Sequence, residues 1–186
     1  MAPKGHLMEE KSTRGSVVEA LLGPVDCLLA GEWGFTRVRD VPLSGEWSKV
    51  INEVPIAVHV CLSHECAVRL KRSLWDLSPL SPEIVREGRV DVVRLGSELV
   101  DAAGEAGFAA VAGGLGMKIN EYLSLLGSVA LYVVANATIV ATQLELFEKG
   151  NGVCLHKGPL PWPFPVKAGP LLLDIPVIVS PRPAPG

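Results

Sequence analysis

Residues 60–66 (VCLSHEC) place two thiols, a hydroxyl and an imidazole within seven positions. An apolar run of strand length precedes this segment, and Ser63 can cap a helix that follows it. Cys66 is then the third helical residue, where free amides and the helix dipole stabilise a thiolate and lower its pKa. The pattern predicts Cys66 as a nucleophile and His64 as its base. Two further imidazoles could approach through the fold: His59 and His156.

Simple packing is the alternative interpretation of these cysteines. Free cysteine is among the residue types that are most often buried, and it then behaves as a small apolar side chain. Under this interpretation Cys61 and Cys66 belong to the core and have no chemical role.

A second hypothesis is a zinc site made of sulfur and nitrogen donors, with the following ligand set: Cys61, His64, Cys66, Cys154 and His156. Thiolate and imidazole suit zinc because the ion is borderline soft and accepts a mixed tetrahedral shell. The spacing matches no known finger or ribbon pattern. Cys154 and His156 share a face in any half-buried strand, so packing is again the alternative.

A third hypothesis concerns the glycine-rich turn in residues 108–119 (FAAVAGGLGMKI), which we predict to lie between a strand and a helix. The groups that would hold a phosphate or another anion are Gly113, Gly114, Gly116 and Lys118. Glycines allow the backbone amides to approach an anion, and the lysine adds a positive charge. The spacing departs from the P-loop pattern. A tight turn that needs positive φ is the alternative.

Length and charge exclude several classes of protein. The chain has 186 residues, which predicts a single domain that can form its own core. The 17 basic and 20 acidic residues give a net charge of −3, which is not the basic footprint of a nucleic-acid-binding domain. Four Asn and one Gln are few for this length and are typical of a thermophilic source.

We predict a cytoplasmic protein that does not enter the membrane. The most apolar run, residues 128–143, is shorter than the roughly 20 residues of a spanning helix and contains polar side chains. The first 15 residues carry charges of both signs and no apolar core of a signal peptide. Without an export signal, the four cysteines are expected to be thiols, metal ligands or core residues, unless the source is a hyperthermophile.

The elements that must position these groups alternate between strands and helices. Apolar runs and turn residues predict helices over 16–22, 63–75, 97–106 and 119–126, and strands over 25–30, 35–41, 55–61, 90–95, 108–112, 129–135, 138–148, 153–156, 171–173 and 177–179. The strand-helix-strand order over 90–112 predicts a parallel pair of strands. Residues 149–152 (KGNG) predict a turn before the strand over 153–156. This pattern indicates an α/β fold, with α+β as the alternative. The prediction is a single domain with a mixed parallel and antiparallel sheet and four to five short helices.

Three segments are expected along the chain. Residues 1–14 form a mobile N-terminal arm, and residues 15–158 form the α/β domain. Residues 159–186 contain nine of the fifteen prolines and form an extended tail, packed on the body or on a partner, with its last residues disordered.

The leading functional hypothesis is an enzyme or ligand-binding protein that holds an anionic or phosphorylated small molecule at residues 113–118, with Cys66 and His64 as the reactive pair. The alternative is a non-catalytic structural or interaction protein that assembles with further copies of itself. Homo-oligomers are expected as partners, and neither nucleic acid nor a membrane is expected. The sequence identifies no cofactor and leaves open whether the protein is an enzyme.

Overall fold

The computed structural model describes residues 18–19, 21–37, 40–41, 56–80, 82, 86, 92–157 and 177–183. Within these ranges, six α-helices accompany four strands. The elements in chain order are α1 (Leu21–Ala30), β1 (Glu32–Arg37), β2 (Ile56–Leu62), α2 (His64–Leu77), α3 (Val92–Ala103), α4 (Glu105–Gly114), α5 (Ile119–Ala135), α6 (Ala137–Phe147), β3 (Val153–Lys157) and β4 (Val177–Pro181). The architecture is therefore mixed α+β.

The four strands form one sheet in the order β1-β2-β3-β4, and every neighbouring pair is antiparallel. The predicted mixed parallel and antiparallel sheet is therefore wrong. It rested on the runs 90–95 and 108–112 as a parallel pair of strands joined by one helix, and in the structure residues 92–95 and 108–112 are helical. Among the described residues, five α-helices lie between β2 and β3, which pair antiparallel.

The two faces of the sheet have different environments because side chains alternate along a strand. Val58, Val60 and Leu62 on β2 are at most 1% exposed and face the helices. His59 and Cys61 lie on the opposite face, together with the residues of the other strands that point to the same side. We call this face the outer face of the sheet. The helical side is built around α5, in which Tyr122 to Val134 are buried except for Tyr132.

The predicted strand over 25–30 is wrong, because these residues belong to α1. The run has the length of a strand, but its buried positions follow a helical period. Leu21, Val25 and Leu28 are fully buried at spacings of four and three residues.

Four further predicted strands are helical in the structure. Residues 90–95 overlap α3, residues 108–112 lie in α4, and the runs 129–135 and 138–148 lie in α5 and α6. Helix α5 is buried on nearly every side, so its residues are apolar without a period and resemble a buried strand in sequence. Helices α4 and α6 each bury only a few residues, on one side, and short apolar runs such as theirs do not distinguish a helix from a strand.

Other elements are confirmed by the structure. Residues 56–61 of the run 55–61 lie in β2, the runs 153–156 and 177–179 lie in β3 and β4, and the helix predicted after Ser63 is α2. The turn predicted at residues 149–152 joins α6 to β3, with positive φ at Gly150 and Gly152. The arm predicted at 1–14, the strand predicted at 171–173 and most of the predicted tail lie outside the described residues.

Among the described helices, none is long and apolar enough by itself to cross a membrane. Helices α5 and α6 pass that test of length and composition only as a pair, and they are bent by 92° at their junction.

Candidate functional site

The first turn of α2 has the predicted geometry. Ser63 is the N-cap, and its hydroxyl accepts a hydrogen bond from the backbone N–H of Cys66 at 3.2 Å. Cys66 is therefore the third residue of the helix, close to the positive end of the helix dipole. This position stabilises a thiolate whenever the sulfur is released.

The sulfur of Cys66 is held in a disulfide. Cys66 is bonded to Cys27 of α1, and Cys61 of β2 is bonded to Cys154 of β3. All four cysteines of the chain are paired, so none is a free thiol. Each disulfide has one cysteine within residues 61–66, where β2 ends and α2 begins. This segment is therefore linked covalently to both α1 and β3.

The two sulfurs of the Cys27–Cys66 disulfide are in different environments. The Cys27 side chain is 3% exposed, whereas Cys66 is only partly buried at the edge of the core. An incoming thiolate would therefore reach Cys66 before Cys27. The same sulfur lies at the helix N-terminus, so Cys66 is a good leaving group when a mixed disulfide formed at Cys66 is resolved.

His64 forms an ion pair with Glu148 rather than a bond to Cys66. Its Nδ1 lies 2.8 Å from Glu148 Oε1, and the imidazole remains half exposed. The same carboxylate oxygen accepts hydrogen bonds from the backbone N–H groups of Gly150 at 2.6 Å and Gly152 at 3.1 Å. Partial burial by itself would raise the pKa of Glu148, but the bonds from His64, Gly152 and Gly150 outweigh it and lower that pKa.

The outer face of the sheet carries a second group of polar side chains. His59 and His156 are direct cross-strand partners, and their ring centroids are 6.0 Å apart. The Thr36 hydroxyl shares a hydrogen bond with His59 Nδ1, and the Ser180 hydroxyl shares one with His156 Nε2 at 2.9 Å. The disulfide Cys61–Cys154 is the next pair along the same face.

Burial favours the neutral form of both of these imidazoles. Burial lowers the pKa of His156 to about 4, and the neighbouring His59 adds to this effect. Burial also lowers the pKa of His59, although the charge of Glu32 opposes the shift. His156 Nδ1 is fully buried and has no hydrogen-bond partner among the described residues.

The predicted zinc ligands do not lie together as one set. Cys66 and Cys61 are in different disulfides, and His64 is bonded to Glu148. In this oxidised state, the part of the chain that the structure describes contains no group of three or more His, Cys, Asp or Glu side chains able to hold a metal ion. Cys154 and His156 do share one face of β3, as their spacing predicts.

The glycine-rich turn joins two helices rather than a strand and a helix. Gly113 and Gly114 end α4, Gly116 has a φ of 70°, and Lys118 is the N-cap of α5. The N–H groups of residues 115–117 donate to carbonyls of residues 111–113, and the Lys118 N–H donates to Glu121 Oε2 at 3.2 Å. These four amides already have acceptors, so this loop presents fewer free donors than a phosphate cradle requires.

A buried lysine lies on the opposite face of the sheet. Lys157 is 1% exposed, and its ammonium group lies 4.9 Å from the centroid of the Tyr132 ring. Such cation–π contacts stabilise a buried ammonium group. Sequence reasoning missed Lys157 because one lysine at the end of a short strand carries no local signal.

Sequence reasoning also missed two partners of the predicted site. Cys27 was assigned to a strand and to no site, and Glu148 was assigned to the end of a strand. Each lies far from residues 61–66 in sequence, so only the fold shows the contact. The even number of cysteines was the one signal that pointed to disulfides.

Comparison with known proteins gives no relative: no protein-family model, no curated protein and no solved structure matches the chain.

Proposed function

We propose that this protein carries out thiol–disulfide exchange, with Cys27–Cys66 as its redox-active disulfide. The observation that carries this proposal is the asymmetry of the pair. Cys66 is partly exposed in the first turn of α2, and Cys27 is 3% exposed beneath it. The proposal retains Cys66 as the reactive residue that the sequence predicts and assigns its partner to Cys27.

The exchange has two steps in which atoms and electrons balance. A thiolate of a client dithiol attacks Cys66 Sγ, the Cys27–Cys66 bond breaks, and Cys27 leaves as a thiolate that takes a proton from water. The second client thiolate then attacks the client sulfur of the mixed disulfide and releases Cys66 as a thiolate. The client loses two electrons and becomes a disulfide, and the Cys27–Cys66 pair gains them.

The α2 N-terminus supports the second step. The departing Cys66 thiolate lies where the helix dipole and the first-turn amides stabilise negative charge. His64, half exposed at the first helical position, adds positive charge to this surface when it is protonated. Glu148 holds its ring in place, so we assign His64 a positioning and electrostatic role rather than that of a base bonded to Cys66.

The test compares two single thiols in the folded protein. Cys27→Ser leaves Cys66 free at a helix N-terminus, and Cys154→Ser leaves Cys61 free at the end of a strand. Both sulfurs are partly exposed, so the pair of variants separates the effect of the helix from that of access. Alkylation by iodoacetamide is measured against pH, with the remaining disulfide intact.

We expect the alkylation rate of Cys66 to have its midpoint well below pH 8.5, the value for an unperturbed thiol, and that of Cys61 to have it at or above pH 8.5. The exchange is reversible, so the Cys27→Ser variant should also form a stable mixed disulfide with a client disulfide: the Cys66 thiolate attacks one client sulfur, the other leaves as a thiolate, and the variant lacks the Cys27 thiol that would resolve the product. Equal midpoints for the two thiols, or alkylation of Cys66 only after denaturation, would refute the proposal.

A non-catalytic interaction protein is the second candidate function. Trp75, Leu80 and Ile139 are 45%, 50% and 60% exposed. A hydrogen bond of 3.0 Å between the hydroxyls of Ser78 and Thr138 brings these parts of α2 and α6 to the same end of the molecule. An apolar area of this kind is typical of an interface, and a second copy of the chain is the simplest partner.

Under this second proposal both disulfides serve stability alone. They close loops of 39 and 93 residues, and loops of this length correspond to about 4 kcal/mol each in the chain-entropy model. Sedimentation of the wild type and of Trp75→Glu tests it. A dimeric wild type and a monomeric Trp75→Glu variant would support assembly. A monomeric wild type would contradict it.

We further propose that the protein works in the cytoplasm of a thermophile. The low content of Asn and Gln supports this source, and two disulfides agree with a hyperthermophile, in which intracellular disulfides are common. A thermophilic source predicts that the protein stays folded and active above about 70 °C. Activity and unfolding are therefore measured above that temperature.

A further inference from the structure

The outer face of the sheet arranges four soft or borderline donors as a square. Cys61 lies opposite Cys154, and two residues further along the same strands His59 lies opposite His156. Side chains two residues apart on a strand point to the same side, so all four occupy one face. Sulfur and imidazole nitrogen are the donors that tetrahedral zinc sites use.

The spacing within the square is short. The Cα atoms of Cys61 and Cys154 are 4.0 Å apart, which is typical of the narrow, non-hydrogen-bonded pairs of an antiparallel ladder. The pair type repeats every second residue, so His59 and His156 also form a narrow pair. Diagonal neighbours in such a ladder are about 7–8 Å apart, a gap that an imidazole and a thiolate can bridge through one metal ion.

The hydrogen bonds of the two imidazoles leave one nitrogen of each for a ligand. The Ser180 hydroxyl occupies His156 Nε2, and Nδ1 is buried without a partner among the described residues. His156 is only 7% exposed, so this nitrogen is shielded from solvent. A metal-bound histidine usually donates the N–H of its second ring nitrogen to an oxygen acceptor, and the Ser180 hydroxyl oxygen can take that place.

His59 has the complementary arrangement. Thr36 occupies its Nδ1, and its Nε2 lies over the backbone of Gly34, where a Cβ would be 2.9 Å from the ring. Because Gly34 has no side chain, the ring can lie over β1, and binding a metal at the square requires it to turn away from Gly34 and Thr36 toward the cysteines. His59 can then supply the fourth ligand.

We propose that two-electron reduction of Cys61–Cys154 converts this square into a Cys₂His₂ zinc site. A cellular dithiol supplies the electrons: it becomes a disulfide, the Cys61–Cys154 bond breaks, and two thiols form. Binding of Zn²⁺ then displaces the two thiol protons and adds the nitrogens of His156 and His59. Under this proposal the metal binds only after the disulfide is reduced, and in the oxidised form the described residues contain no group that could hold a metal ion.

This inference is independent of exchange at Cys27–Cys66, and the experiment keeps the two apart. In the Cys27→Ser/Cys66→Ser variant, the only remaining cysteines are the two of the square. The protein is reduced with a phosphine, which takes up the oxygen of one water as the disulfide opens. It is then titrated anaerobically with Co²⁺, whose visible bands and thiolate charge-transfer bands report the donor set.

The expected result is one Co²⁺ per chain with the bands of a tetrahedral site having two thiolate ligands, displaced by Zn²⁺, and no binding before reduction. His156→Gln and His59→Gln should each weaken binding at least 10-fold. His64→Gln, which lies outside the square, should leave it unchanged. Absence of binding after reduction, or binding that neither histidine substitution weakens, would overturn the proposal.

Loss of structure on reduction is covered by a second measurement, because circular dichroism follows the fold during the titration. If the reduced protein unfolds, zinc should restore the native spectrum, since metal binding to the folded state stabilises it. Failure of zinc to restore the spectrum counts against the site.

Discussion

His64 Nδ1 lies 2.8 Å from Glu148 Oε1, and this contact joins the connection after β2 to the connection before β3. The carboxylate also orders its own turn, because it accepts the N–H groups of Gly150 and Gly152. One side chain therefore fixes both the turn that leads into β3 and the imidazole at the start of α2. Beside it, Gly152 packs on the carbonyl of Leu62.

The first prediction concerns the charge of Glu148. At pH 7, Glu148→Gln should lower the free energy of unfolding by about 1–3 kcal/mol, because hydrogen bonds to a carboxylate are stronger than those to an amide. The folded state lowers the pKa of Glu148, so its contribution is present above the unfolded pKa and is lost as pH falls through the folded value. The difference between wild type and variant should therefore shrink from pH 7 to pH 3. Chemical unfolding at both pH values measures it, with the exposed Glu145→Gln as the control.

The second prediction compares two glycines of one turn. Both have positive φ, 103° at Gly150 and 93° at Gly152, so alanine is strained at either position. A Cβ at Gly152 would also lie 2.0 Å from the carbonyl oxygen of Leu62, whereas one at Gly150 meets nothing within 4 Å. Gly150→Ala should cost about 1–2 kcal/mol, and Gly152→Ala several kcal/mol more. Similar thermal midpoints for the two variants would contradict this packing.

Local signals allowed some elements to be predicted and left others ambiguous. The Ser63 cap and the turn at residues 149–152 follow from side-chain and backbone chemistry within a few residues, and both are present in the structure. Helix α5 is different, because burial on every side removes the period that distinguishes a helix from a strand. The partner of Cys66 depends on where α1 packs, which no short-range pattern in the sequence encodes.

The third prediction concerns a buried hydroxyl. Tyr122 is fully buried, its ring contacts Trp33 edge to face at a centroid distance of 5.3 Å, and its OH has no hydrogen-bond partner within the described part of the chain. Burial raises its pKa far above the ordinary value. Tyr122→Phe keeps the ring and removes the unsatisfied group, so it should leave stability unchanged or raise it by about 1 kcal/mol. Tyr122→Leu, which also removes the aromatic contact, should be less stable. A loss of more than about 1 kcal/mol in Tyr122→Phe would reveal a partner for the hydroxyl.

The fourth prediction follows from the buried imidazole on the outer face. His156 has a folded pKa of about 4 and an ordinary value of 6.5. Between these values the unfolded chain binds a proton that the folded protein does not, so stability falls as pH falls from 6.5 to about 4. One pKa unit corresponds to about 1.4 kcal/mol, so His156 should account for a loss of roughly 3 kcal/mol over this range.

The free energy of unfolding of the oxidised protein is measured at about pH 7, 5.5 and 4, because these values span the titration of histidine. Carboxylates titrate near the lower end of this range, so wild type is compared with His156→Gln, which keeps a polar group near Ser180 and cannot become charged. The wild type should lose more stability than the variant as pH falls. His64→Gln is the matched control, because that imidazole is half exposed. If the curves of wild type and His156→Gln run parallel, the imidazole is accessible to protons in the folded state, and the outer face of the sheet is not the dry environment that holds His156 neutral.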